Sequence, residues 1–215
     1  MLKFRIIPVT AFQQNCSVLW CDQTKQTVLV DPGGDIDRIQ AVLSEEGLTP
    51  HAIWLTHGHL DHVAASPDLA RQFDVPIIGP HREDLFWLQD LPRFAAQVNF
   101  PPAEVFEPSQ WLNDGDQLTL GNLTFDVLHC PGHTPGHVIF YEATSQIAFV
   151  GDLLFAGSVG RTDFPRGNFN DLVQSIRGKL WPLGDDVRFV PGHGPMSTFG
   201  HEKHTNPFVA DKNFG

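Results

Sequence analysis

Seven side chains of metal-ligand type stand at four separate places along the chain. Thr56-His57-Gly58-His59-Leu60-Asp61-His62 holds three histidines and an aspartate in seven residues; His133 follows Gly132, Asp152 follows Gly151, and His193 lies in Pro191-Gly192-His193-Gly194. His57 and His59, two apart in an extended segment, point the same way and can chelate one ion. Asp61 and His62 lie where the chain turns towards a helix, so they can face a different ion. Neutral imidazoles with carboxylates suit Zn²⁺, Fe or Mn, and Asp152 offers a carboxylate able to bridge two ions. A hydroxide between two cations about 3.5–4 Å apart is a strong nucleophile at neutral pH. One histidine at a strand end is usually a satisfied polar residue, but five His and two Asp gathered at strand ends are hard to explain by packing. The expected cofactors are therefore two divalent metal ions per chain, and the carboxylates Asp61 and Asp152 are the candidate catalytic residues.

The elements that must position these groups can be read from the periodicity. Lys3 to Val9, Cys16 to Trp20 and Thr27 to Val30 read as strands, and Asp31-Pro32-Gly33-Gly34 ends the third. Ile36, Ile39 and Leu43 fall at helical spacing up to Gly47, with Asp35 or a neighbour as the cap. Ala52 to Leu55 is a short apolar strand running into the His57 motif; a helix near Pro67 to Phe73, a strand at Val75 to Gly79 and a helix from Arg82 to Gln89 follow. Four prolines between Leu91 and Gln110 predict a long loop that divides two halves. Beyond it, Gly121-Asn122 marks a hairpin. Val138 to Tyr141 and Ile147 to Val150 form a second strand pair, Leu172, Ile176 and Leu180 a helix, and Val187 to Val190 the last strand. Two such halves stacked sheet on sheet give an α/β fold, an αββα sandwich of two mixed β-sheets flanked by helices, with residues 1–215 as one domain.

Composition narrows the partners. The 215 residues carry a net charge of −11 with no Lys/Arg run, so nucleic acid is a poor partner. No apolar run approaches the roughly 20 residues needed to span a bilayer, and Met1 to Ile6 lacks the pattern of a signal peptide. Cys16, Cys21 and Cys130 are not in metal-binding spacing and read as reduced thiols of a cytoplasmic protein, with Cys130 a buried filler rather than a nucleophile. Among the other histidines, His51, His81, His201 and His204 read as surface or satisfied residues. The five tryptophans read as core.

Taken together, the His57-x-His59-x-Asp61-His62, Gly132-His133-Thr134, Gly151-Asp152 and Pro191-Gly192-His193-Gly194 motifs resemble the full set of the metallo-β-lactamase superfamily, over nearly the whole chain. They look most like the glyoxalase II branch, the hydroxyacylglutathione hydrolases. The resemblance implies one site of His57, His59, His133 and Asp152, a second of Asp61, His62, His193 and the shared Asp152, and Asp31 as a support. His129 and His137 flank the His133 motif and are candidates to support the ligands, but neither matches a ligand of the family. It also implies hydrolysis of a glutathione thioester such as S-lactoylglutathione, as in methylglyoxal detoxification. Members with Cys at the Asp152 position are excluded as close kin. Glyoxalase II enzymes usually carry a C-terminal helical domain that helps hold glutathione; only 22 residues follow His193, so a short form without it is expected. Arg161 matches a basic residue that contacts glutathione in that branch, and is the tentative substrate residue, with a salt-bridged brace to Asp163 as the other reading. The Gly160-Arg161-Thr162-Asp163-Phe164 string instead resembles persulfide dioxygenases, which use one iron, and gives the alternative activity. A third alternative is hydrolysis of another thioester or ester. The oligomeric state is left open.

Overall fold

The computed structural model describes residues 1–214. The first half begins with strands β1 (Leu2–Val9), β2 (Gln14–Cys21) and β3 (Thr27–Val30), then helix α1 (Ile36–Glu46) and strand β4 (Pro50–Trp54). One helical turn, α2 (Leu60–Val63), leads to α3 (Ser66–Phe73), strand β5 (Ile77–Ile78) and helix α4 (Leu85–Gln97). The second half runs through β6 (Gln117–Leu120), β7 (Leu123–His129), β8 (Val138–Glu142) and β9 (Ile147–Gly151), then the small ribbon β10 (Leu154–Phe155) and β11 (Ser158–Val159). Helix α5 (Phe169–Ser175) continues as a π-helical turn over Ile176–Leu180; β12 (Arg188–Pro191), β13 (Ser197–Thr198) and α6 (Phe199–Thr205) follow. Among the described residues no helix is long and apolar enough to cross a membrane.

The strands form two mixed sheets. One has the order β1-β2-β3-β4-β5, antiparallel up to β3 and parallel beyond it. The other has the order β13-β12-β9-β8-β7-β6, in which only β12 and β9 run parallel. Their inner faces interdigitate: Trp54 of the first sheet meets Phe125 and Phe140 of the second with ring centroids 5.2 and 5.4 Å apart. Outside the first sheet, Ile39, Leu43, Leu69, Leu88 and Leu91 bring α1, α3 and α4 onto Val18, Leu29 and Ile53. Outside the second, Leu172, Ile176 and Phe199 pack on Ile139 and Phe189. Burial of these apolar faces, at about 25 cal/mol per Å², is what holds four layers in the expected αββα order.

Three local expectations need correction. The stretch from Leu91 to Gln97 is not loop: α4 runs through it with Pro92 inside, because Trp87, Leu88, Leu91 and Ala95 bury one helical face. That burial outweighs the hydrogen bond that a proline cannot make. Asp35 occupies the N-cap position of α1 but makes no side-chain cap; its carboxylate accepts from the Thr10 amide at 2.8 Å instead. Val187 to Val190 is not the last strand, since β13 pairs with β12 and α6 follows, capped by the Thr198 hydroxyl accepting from His201 N.

Candidate metal centre

All seven predicted ligand residues lie at one edge of the sandwich, where the loops after β4, β7, β9 and β12 meet. His57 and His59 follow β4, and His59 occupies the N-cap position of α2, whose first turn carries Asp61 and His62. The chain can pass here only because Gly33 has no side chain: a Cβ there would lie 1.5 Å from the Asp61 carbonyl oxygen. Gly192 is needed in the same way, since a Cβ would lie 2.0 Å from Asp152 Oδ1.

Two clusters result. In the first, His57 Nε2 and His133 Nε2 lie 3.1 and 2.9 Å from His59 Nδ1. In the second, His193 Nε2 lies 3.2 Å from Asp61 Oδ2, and His62 Nε2 lies 3.9 Å from the same oxygen. Asp152 stands between them: Oδ2 is 3.6 Å from His133 Nε2 and 3.5 Å from His193 Nε2, and Oδ1 is 3.3 Å from His62 Nε2.

The outer hydrogen bonds fix which nitrogen each ring turns inward. The Thr56 hydroxyl donates to Asp31 Oδ2 at 2.6 Å and accepts from His57 Nδ1 at 3.0 Å. His62 Nδ1 donates to the same Asp31 oxygen at 2.9 Å, His133 Nδ1 to the Arg161 carbonyl at 2.7 Å, and His193 Nδ1 to the Phe12 carbonyl at 3.1 Å. Where the ring is neutral, each bond takes up its one proton and leaves Nε2 as a bare lone pair facing the cluster. Asp31 also falls within reach of His57 and His62. Its two oxygens, however, are occupied by the Thr56 amide, the Thr56 hydroxyl and His62, which makes it a support.

These donor atoms fit cations. Two Nε2 lone pairs face the same His59 nitrogen, which carries at most one proton, so one contact sets lone pair against lone pair unless a cation lies between them. His62 Nε2 and Asp152 Oδ1 are buried and face each other at 3.3 Å, with neither atom in a well-formed hydrogen bond, an arrangement that a bound ion relieves. Burial pushes the imidazoles of His57 and His59 well below their ordinary pKa, and His133 below it, which keeps all three neutral and ready to ligate. Burial acts the same way on His62, but the carboxylates of Asp152 and Asp61 outweigh it and hold that ring well above its ordinary value.

Further residues hold the cluster, and of these supports the sequence pointed only to His137. Asp84 is fully buried and accepts from Gly58 N at 2.8 Å, Thr134 Oγ1 at 2.8 Å and Gly136 N at 2.6 Å. Burial pushes its carboxyl up to about 6 against the pull of those three donors. His137 stacks on His57 with centroids 4.9 Å apart and accepts from the Asp152 amide at 3.1 Å. Asn15 Nδ2 donates to the Pro191 and Gly194 carbonyls, tying the His193 loop to β2. Trp87 is buried, as expected of core, but it also lies 4.5 Å from the His59 ring. Cys130 is buried and burial pushes its thiol up to about 12, so it is the inert filler expected.

Arg161 is exposed and makes a forked pair with Asp163 at 2.6 and 2.7 Å. Its guanidinium also lies 4.2 Å above the Phe164 ring, which stands 5.2 Å from His59. The brace therefore exists, and it stands beside the first cluster.

With this geometry in hand, residues 9–193 match the model of the metallo-beta-lactamase superfamily. The hydroxyacylglutathione hydrolase GloC of Haemophilus influenzae is 46% identical over 98% of this chain and 100% of its own. The crystal structure of BLEG-1, a B3 metallo-beta-lactamase, superposes with a TM-score of 0.88 at 38% identity, over 96% of this chain and 99% of that one. The crystal structure of TTHA1623 in a di-iron-bound form gives a TM-score of 0.87 at 37% identity, over 95% and 100%.

Proposed function

The chain belongs to the metallo-β-lactamase superfamily, and from that membership we propose that it is a dinuclear metal-dependent hydrolase of glutathione thioesters such as S-lactoylglutathione. The observation that carries this reading is the pair of ligand clusters sharing Asp152. His57, His59, His133 and Asp152 would hold one ion; Asp61, His62, His193 and Asp152 would hold the other. Zinc is the first candidate and iron or manganese the next, since imidazole with carboxylate suits all three. Two such ions supply Lewis acidity for the carbonyl and lower the pKa of bound water from 15.7 towards about 7.

The chain's own residues then do the positioning. Asp31 holds His62, and through Thr56 it orients His57, so both rings keep their lone pairs inward. The Arg161 carbonyl does the same for His133, and its side chain faces the solvent side of that cluster, where a glutathione carboxylate can replace Asp163. A thiolate leaving group has a low-pKa conjugate acid and needs little general-acid help. That suits a site where the buried carboxylates are committed to histidines and backbone amides. The identity with GloC supports the glutathione part of the reading.

The test gives purified, metal-characterised enzyme three substrates: S-lactoylglutathione without O₂, glutathione persulfide with O₂, and a β-lactam. Release of free thiol from the first, with no oxygen uptake from the second, supports the proposal. Oxygen uptake with persulfide and no thioester cleavage, or turnover of the lactam alone, overturns it.

A further inference from the structure

A second cleft adjoins the Asp61–His62–His193 cluster, separate from the Arg161 side. It is a cavity of 780 Å³ between the β1–β2 turn, the start of α1, the end of α2 and the segment after α4. Its apolar walls are Phe12, Ile36, Ala64, Val98, Phe100 and Pro101. Phe12 is 47% exposed and Val98 37%, although both are large apolar side chains. The Phe12 and Phe100 rings stack against each other in the cleft wall with centroids 5.8 Å apart.

The cleft lies next to the metal centre, although no ligand side chain lines it. The Phe12 carbonyl accepts from His193 Nδ1, so the turn that carries the ring is docked on a proposed ligand. Ala64 follows directly on Asp61, His62 and Val63 of α2. The backbone around the cleft is strained: Thr10, Asp35 and Asn99, which line it, and Gln13 beside it are non-glycine residues with φ between 48 and 62°. Such strain persists only where the surroundings impose it, and it concentrates at functional sites.

Charge decides which half of a thioester belongs here. Asp35, Asp37 and Asp68 line the cleft against a single arginine, Arg38. Glutathione carries two carboxylates and is repelled. The other side carries no such excess of negative charge: Arg161 and Arg93, paired with Asp163 and Asp90, flank Phe164 and Trp87 beside the first cluster, and the carboxylates of glutathione can compete for them there. Resting on the thioester reading above, we infer that the Phe12–Phe100 cleft receives the acyl half of the substrate and that the preferred acyl group is bulky, apolar and uncharged, such as an aryl hydroxyacyl group. A lactoyl group leaves most of the cleft unfilled.

The experiment compares S-mandeloylglutathione with S-lactoylglutathione on the metal-replete wild type, Phe12→Ala, Phe12→Leu and Phe100→Ala. Removing one aromatic wall should lower the mandeloyl-to-lactoyl ratio of kcat/KM by roughly 10-fold, and leucine at position 12 should restore most of it. An unchanged ratio overturns the inference. Titration of the wild type with the products mandelate and lactate reads the cleft without turnover: mandelate should bind more tightly, and Phe12→Ala should abolish the difference. If neither thioester is cleaved but this Phe12-dependent preference is seen, the hydrolase reading falls and the cleft stands as an aryl-acid site; equal binding of the two acids sinks the cleft.

Discussion

Asp84 accepts a hydrogen bond from the amide of Gly58, the residue between His57 and His59, at 2.8 Å. The same carboxylate takes Thr134 Oγ1 and Gly136 N from the loop that carries His133. One buried side chain therefore joins the ligand loops of the two halves, and the first cluster can close only if both loops keep this spacing. A buried donor left without an acceptor costs about 1–3 kcal/mol.

Asp84→Ala strands three such donors and should destabilise the metal-replete protein by roughly 3–5 kcal/mol. Asp84→Asn keeps one acceptor oxygen and the shape, and should lose less. In both variants the metal content of the first cluster should fall more than that of the second. Urea midpoints together with metal analysis check this. An alanine variant with wild-type midpoint and two ions would remove Asp84 from the account.

Asp152→Ala should lose both ions, because its carboxylate stands against His133, His62 and His193 at once. Asp61→Ala removes an oxygen from the second cluster alone and should leave about one ion per chain. The measurement is metal per chain after dialysis against a weak chelator. Retention of two ions by Asp152→Ala would contradict the shared-carboxylate assignment.

The seven residues that gather in the two clusters were legible because each sits at or just past a strand end in a short local pattern, and α1 was legible because apolar spacing and Gly47 both act within the element. The supports were not. Asp84 is a single acid at the start of a helix, and its partners lie 26, 50 and 52 residues away, so nothing local marks it. His137 was visible only as a neighbour of the His133 motif: its role depends on the chain just before β8 placing it against the His57 ring and the Asp152 amide. Asp35 looked like a cap, and would be one in isolation, but the β1–β2 turn brings the Thr10 amide within its reach. Pro92 looked like a break because proline removes one hydrogen bond, whereas the apolar face of α4 is a sum over several turns. The signal for α6 was present in Thr198, whose hydroxyl caps it.

Acid should empty the two clusters in order. An imidazole binds metal only when neutral. Burial holds His57, His59 and His133 below the ordinary range, so protonation reaches them late. For His62 and His193 burial acts in the same direction, but neighbouring carboxylates outweigh it and raise both rings. A raised pKa means the proton arrives at higher pH, so the second ion should leave first as pH falls. Stepwise dialysis from neutral pH to about 5, below the free imidazole value of about 6.5, should show a plateau near one ion per chain. A single step from two ions to none would contradict the order.

Arg161 separates a substrate contact from a brace. Its pair with Asp163 is solvent-exposed on both sides, and exposed pairs add little to stability, so losing it should leave the melting temperature nearly unchanged. The guanidinium lies over Phe164, beside His59, where an anionic leaving group can displace Asp163. Arg161→Ala should therefore raise KM for glutathione thioesters by roughly 10-fold, the effect of one lost charge-assisted hydrogen bond. A neutral thioester of 2-mercaptoethanol should be affected far less. Asp163→Ala frees the arginine from its competitor and should lower KM for the glutathione substrate. The two variants thus move the constant in opposite directions if Arg161 meets substrate. A brace predicts that they move together, since either substitution breaks the same pair, and that the neutral thioester suffers equally. Steady-state kinetics of both variants on both substrates decide between these outcomes, and parallel losses would return Arg161 to the loop as a structural residue.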